Sequence, residues 1–87
     1  MNRIGIIGAG QMGGGIATVC ALAGFDVRLV DRDKGQLAAA LKRIRESVAR
    51  RVARGQIDKA RGNKALKLVH TGTAFKTLAD CDLVIEA

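Results

Sequence analysis

Apolar positions change their period several times along the chain, and each change marks an element. Arg3-Ile4-Gly5-Ile6-Ile7 is short, β-branched and apolar at consecutive positions, as expected of a strand buried on both faces. From Gln11 to Ala23 the residues Met12, Ile16, Ala17, Val19, Cys20 and Ala23 recur at helical spacing, and Gly24 stands where a left-handed helix terminus is wanted. Val27–Asp31 reads as a second strand. Asp33 then caps a long helical pattern, carrying Leu37, Leu41, Ile44, Val48 and Val52 until Gly55 ends it. Residues 56–67 form a weaker helical stretch around Gly62, Leu68–Thr71 a third strand, Phe75–Ala79 a short helical turn, and Asp82–Ala87 a fourth strand. The order β-α-β-α-α-β-α-β predicts a parallel sheet with helices on both faces, because parallel neighbours need long crossovers. The run Leu83-Val84-Ile85-Glu86-Ala87 has no turn or cap after it, so the chain is expected to stop in a strand and to be a fragment of a larger domain.

Length and composition narrow the class. Eighty-seven residues, 48% of them hydrophobic, suit one small domain and not a two-domain enzyme. The 26% charged residues and the absence of Pro argue against a disordered linker, and two cysteines do not make a disulfide scaffold. Cys20 in an apolar stretch and Cys81 in a predicted turn read as reduced thiols, which places the protein in the cytoplasm. Arg3 and Asp26 bracket 22 uncharged positions, long enough for a membrane span, but seven of them are Gly and Gln11 interrupts the run. No membrane is therefore expected. The net charge of +7 suggests nucleic acid, yet with 2% aromatic residues there is almost nothing to stack on bases, so no nucleic-acid partner is expected either. The charge is also local: residues 33–67 carry a net +8 and all the others together a net −1.

The chemistry sits in the first turn. Gly8-Ala9-Gly10-Gln11-Met12-Gly13 matches GxGxxG between an apolar strand and a helix, and Asp31 ends the second strand, the context in which a dinucleotide is bound. Gly8 permits the tight turn, Gly10 lets the backbone approach a pyrophosphate, and Gly13 lets helix and strand pack closely. Free N–H groups at the helix start and the positive end of its dipole hold the anion. Asp31 accepts from the adenosine ribose hydroxyls and repels a 2′-phosphate, whereas Arg32 beside it is suited to accept one; Asp31 is nearer in the expected geometry, so NAD is preferred over NADP. The fold class that follows is α/β, a Rossmann-type parallel sheet of four strands in the order 3-2-1-4, with a basic helical hairpin over residues 33–67 inserted between strands two and three. A glycine-rich turn that binds nothing is the bland alternative, and the agreement of strand, turn, helix and acidic strand end argues against it.

The longer string Gly8-Ala9-Gly10-Gln11-Met12-Gly13-Gly14-Gly15-Ile16-Ala17, with Val30-Asp31, the basic hairpin and Asp82–Ala87, resembles the amino-terminal part of 3-hydroxyacyl-CoA dehydrogenases over the whole of residues 1–87. Gly14 departs from the family, which often carries Ser or Ala there. The resemblance implies NAD-dependent oxidation of a 3-hydroxyacyl-CoA to the 3-ketoacyl-CoA. It also implies that a general-base His paired with a Glu lies beyond Ala87, leaving no catalytic residue in this chain. His70 does not match that position and is read as structural, and Glu86 is expected near the cofactor edge of strand four. Another NAD-dependent β-hydroxyacid dehydrogenase, or a nucleotide-binding module without catalysis, is the competing reading.

The hairpin helix has two stripes. Stepping about 100° per residue, the apolar set from Leu37 to Val52 lies together, and Arg43, Ser47, Arg50 and Arg54 form a neighbouring stripe suited to phosphate groups. A solvated basic face is the plainer explanation. The resemblance implies that Ser47 and Arg54 contact the CoA moiety of an acyl-CoA substrate, with Arg43 or Arg50 beside them. Finally, an order of 3-2-1-4 leaves strand 82–86 as an open apolar edge, so a homodimer formed through it is expected.

Overall fold

The computed structural model describes residues 2–87. Four parallel strands, β1 (Arg3–Ile7), β2 (Asp26–Val30), β3 (Val69–Gly72) and β4 (Leu83–Glu86), lie in the order β3-β2-β1-β4. The helices are α1 (Gln11–Leu22), α2 (Lys34–Ala53) and α3 (Lys59–Lys67), and a 3-10 turn, Phe75–Leu78, precedes β4. Ile4 pairs in register with Val27 and Leu83, and Ile7 with Val30 and Glu86, so the carboxyl ends of the three strands are level. The expected order of strands and the inserted hairpin are both present.

Boundaries move by a residue where a helix cap competes with a strand. Leu68 closes α3 as its C-cap, its N–H bonding back to Ala65 O and Leu66 O, so β3 starts one residue later than its apolar pattern suggests. Asp33 caps α2 as expected: one carboxylate oxygen accepts from the N–H groups of Gly35 and Gln36 at 2.8 and 3.3 Å. Asp58 does the same for α3 through Arg61 N–H at 2.7 Å. The basic residues of the last turns, Arg50 and Arg51 in α2 and Lys64 and Lys67 in α3, meet the negative ends of the helix dipoles.

The layering is asymmetric. Ile4, Ile6, Val27 and Leu29 point to one face and form a single core with Ala17 and Ala21 of α1, Leu37, Ala40, Ile44 and Val48 of α2, and Ala65 of α3. All three α-helices therefore cover one face, and the other carries the 3-10 turn. There Gly5 makes room: a Cβ on it would stand 2.6 Å from Leu78 Cδ2 and 3.0 Å from Cys81 Sγ. Asp26 gathers the cations of that second face, accepting from Arg3 Nε at 3.1 Å and Arg28 at 3.4 Å, with His70 Nε2 at 3.5 Å. The hairpin closes through Gly62, whose absent Cβ would lie 3.0 and 3.1 Å from Val52 and Val48.

The buried stripe of α2 is rotated from the one its large apolar residues suggest. Ala40 is fully buried, while Leu41 and Val52 are only half-buried. The cause is α1: Gly14 has no side chain, a Cβ there would sit 3.8 Å from Ala40 Cβ, and two small residues draw the helices together. That rotation brings the Ser47 flank of α2 toward α1.

Candidate functional site

The strand-to-helix turn is built from backbone that only glycine tolerates at two places. Gly8 has φ +104° and donates its N–H to Val30 O at 2.8 Å, tying the end of β1 to the end of β2. A Cβ on Gly13 would lie 1.8 Å from Gly8 O, so α1 starts in direct contact with the strand end. Gly10 is different. Its conformation is ordinary, φ −73°, and nothing lies within 4 Å of where its Cβ would be, which leaves a backbone surface open to a ligand.

The start of α1 has no side-chain cap, and its first hydrogen bond runs from Gly14 N–H to Gly10 O at 3.0 Å. The N–H groups of Gln11, Met12 and Gly13 are thus without helical partners. Three such donors at the positive end of a helix dipole, beside an open glycine surface, fit a pyrophosphate. Ala9 is fully buried and its groups are already used: its N–H donates to Asp31 Oδ2 at 2.9 Å, and its carbonyl accepts from Arg43 at 3.2 Å. Ala9 therefore shapes the turn, while Met12 is 68% exposed at its rim.

Asp31 follows β2, next to this turn. Its second oxygen, Oδ1, accepts from Asp33 N–H at 2.9 Å. The Asp33 bond first, and the Ala9 bond after it, hold the carboxyl below its usual range. Each oxygen keeps an unused lone pair, and a charged, fixed carboxylate with free lone pairs suits a vicinal diol. Arg32 turns elsewhere: its Cζ lies 5.5 Å from the centroid of the Phe75 ring, and it makes no ion pair among the described residues. Glu86 pairs in register with Ile7, and Ala87 N–H donates to Ile7 O at 2.9 Å, so the end of β4 borders the same turn.

A second, basic cleft of about 220 Å³ opens between α1 and α2, with Gln11, Gly15 and Thr18 on one side and Arg43, Ser47, Arg50 and Arg51 on the other. Gln11 belongs both to this cleft and to the turn. Three of the four residues expected to form a phosphate-binding stripe are together here. Arg54 is not: it is exposed, caps the end of α2 and lies outside the cleft. Arg51 takes its place, bonded to Ser47 Oγ and Ser47 O. On a helical wheel Arg51 falls at about −20° from Ile44, between the apolar and the basic stripes and in neither, which hides it; the signal that could have found it is the i, i+4 spacing from Ser47. His70, paired with Asp26 on the second sheet face, takes no part in either site.

No helix of the described residues is long and apolar enough to cross a membrane. The geometry has clear relatives. A 3-hydroxybutyryl-CoA dehydrogenase of Bradyrhizobium diazoefficiens is 44% identical over 86 residues, covering 99% of this chain and 29% of that protein. The crystal structure of (S)-3-hydroxybutyryl-CoA dehydrogenase from Ralstonia eutropha superposes with a TM-score of 0.95 at 32% identity, covering 100% of this chain and 31% of that one. The corresponding enzyme of Escherichia coli gives a TM-score of 0.94 at 36% identity, with 98% and 18% covered. The chain thus spans under a third of the length of these relatives. The family model for the 3-hydroxyacyl-CoA dehydrogenase NAD-binding domain matches residues 3–87, including the glycine turn, Asp31 and the hairpin. On that match and these identities, the chain belongs to the NAD-binding domain family of 3-hydroxyacyl-CoA dehydrogenases.

Proposed function

We propose that residues 1–87 form the amino-terminal, NAD-holding part of an enzyme that oxidises a 3-hydroxyacyl-CoA to the 3-ketoacyl-CoA. The observation that carries this reading is the turn itself: three unpartnered N–H groups beside an open Gly10, backed by an Asp31 fixed in its charged form. Gly10, Gln11, Met12 and Gly13 hold the pyrophosphate, Gly8 and Ala9 set the turn, and Asp31 takes the ribose hydroxyls. When bound, the cofactor supplies a hydride acceptor: the substrate's carbinol C–H bond breaks, two electrons pass to the nicotinamide, and the hydroxyl proton goes to a base. His70 is engaged with Asp26 on the far face of the sheet, so that base belongs to another part of the enzyme.

The acyl-CoA is held at the hairpin, residues 33–67. Ser47, Arg43 and Arg50 line the basic cleft, which shares Gln11 with the turn and so brings a phosphate-rich substrate handle beside the cofactor. Arg54, exposed one turn further on, reaches the outer part of the same ligand. The enzyme works in the cytoplasm without a nucleic-acid partner, and as a homodimer when the β4 edge is open to a second copy. Leu83 and Val84, 42% and 44% exposed, support that last point.

The decisive experiment titrates NAD and acyl-CoA into the chain and into its Arg54→Glu and Arg50→Glu variants at two salt concentrations. NAD binding by all three, with acyl-CoA affinity weakened by either charge reversal and by salt, is the expected result. Acyl-CoA binding indifferent to both would reduce the hairpin to a structural role, and absence of NAD binding would defeat the reading altogether.

A further inference from the structure

Phe75 is one of two aromatic residues in the chain, and at 43% exposure it lies outside the core. Burial does not explain it. The 3-10 turn it opens is seated on the sheet by Leu78, which covers Gly5, and is closed on itself by Thr77, which bonds back to Ala74 O through its N–H at 3.3 Å and its hydroxyl at 2.9 Å. The turn thus presents Phe75 at a fixed place, and the group found over its ring is the Arg32 guanidinium, 5.5 Å from the centroid. Arg32 directly follows Asp31, the carboxylate assigned to the ribose diol. It is the cation placed by sequence to neutralise a phosphate there, yet it is drawn aside.

We propose that Phe75 is a specificity-determining residue for the cofactor: its ring holds the Arg32 guanidinium away from Asp31 and withholds it from a ribose 2′-phosphate. The proposal rests on the cofactor reading above. Two effects then act on the same atom of the ligand. Asp31, charged and pinned by Ala9 and Asp33, repels the 2′-phosphate. Phe75 keeps the compensating cation engaged, since a guanidinium over an aromatic face must give up that attraction before it serves an anion. Discrimination against NADP is therefore shared between the strand end and a turn more than forty positions away in sequence.

The test compares NAD and NADP affinities by calorimetric titration of the full chain, its Phe75→Ala and Phe75→Tyr variants, Arg32→Ala, and the Phe75→Ala/Arg32→Ala double variant. Phe75→Ala is expected to raise the affinity for NADP relative to NAD by about two- to fivefold, the worth of an exposed cation–π contact. Phe75→Tyr should restore the original ratio, and the gain should vanish when Arg32 is absent. A second readout needs no cofactor: the Arg32 Nε–Hε resonance of the free protein, displaced by the ring current of Phe75, should move to the position of an exposed arginine in Phe75→Ala. A ratio unchanged in Phe75→Ala, or a gain that persists without Arg32, overturns the proposal while NAD binding stands. An Arg32 resonance already at its exposed position overturns it too. A chain that binds neither cofactor takes down both this proposal and the function it rests on.

Discussion

Gly10 and Gly13 belong to one motif but answer to different physics, and replacing each by alanine separates folding from binding. A Cβ on Gly13 would sit 1.8 Å from the carbonyl oxygen of Gly8. An ordinary contact needs about 3.4 Å, so strand end and helix start must part by about 1.6 Å, and neither is a flexible side-chain tip. Overpacking of this kind costs about 1–3 kcal/mol, and a backbone opponent places Gly13→Ala at the upper end. In a domain of this size about 3 kcal/mol lowers the melting temperature by roughly 12–24 °C. Gly10→Ala meets nothing within 4 Å at an ordinary φ of −73°. Its cost is the difference between Gly and Ala at an N-cap, about 0.5–1 kcal/mol. The new methyl occupies the surface a pyrophosphate needs, so NAD affinity should fall at least about tenfold, which corresponds to about 1.4 kcal/mol. Urea denaturation followed by far-ultraviolet circular dichroism gives the stabilities, and calorimetric titration the affinities. Equal unfolding midpoints for the two variants would refute the packing argument. Undiminished NAD affinity in Gly10→Ala would refute the assignment of that surface.

Other expectations follow from the same geometry. The Asp31 carboxyl is held down by two backbone N–H bonds, so its contribution to stability is present above the unfolded value of about 3.9 and is lost as pH falls through the lower folded value; a carbon-detected titration should find its midpoint below about 3.9, and a midpoint at or above that value would contradict the bonding. Gly15 has no atom within 4 Å of its missing Cβ, so Gly15→Ala should stabilise α1 by about 0.5–1 kcal/mol, whereas Gly62→Val, crowding Val48 and Val52 at 3.0–3.1 Å, should destabilise the hairpin by about 1–3 kcal/mol in the same denaturation assay. Light scattering at high concentration should show association of the chain that Val84→Lys removes, because a charge on an exposed edge strand opposes pairing; a monomeric parent chain would end that idea.

Much of the fold is written in local pattern. The alternation of short apolar runs with helical periods, the cap Asp33 and glycines at turns each act within a few residues of chain, and the Rossmann-type arrangement that they imply has the order β3-β2-β1-β4. The glycine turn was legible for the same reason: Gly8 is glycine because of its own positive φ and Gly13 because of the Gly8 carbonyl five residues before it, Gly10 leaves an open backbone surface, and Asp31 is found by its place at a strand end. Where reading from the sequence fell short, the deciding partner was distant. Ala40 is buried because Gly14 lets α1 come close, which rotates α2, exchanges Arg54 for Arg51 in the basic cleft, and cannot be seen on a wheel drawn for one helix. The one-sided layering depends on which segment covers Gly5, and the state of Arg32 on where Phe75 is carried by a later turn. The sequence by itself determined the elements and the glycine turn, whose energies are settled between near neighbours. The tertiary structure alone decided which cations line the cleft between α1 and α2, since a long flexible side chain takes its position from whatever the fold brings beside it.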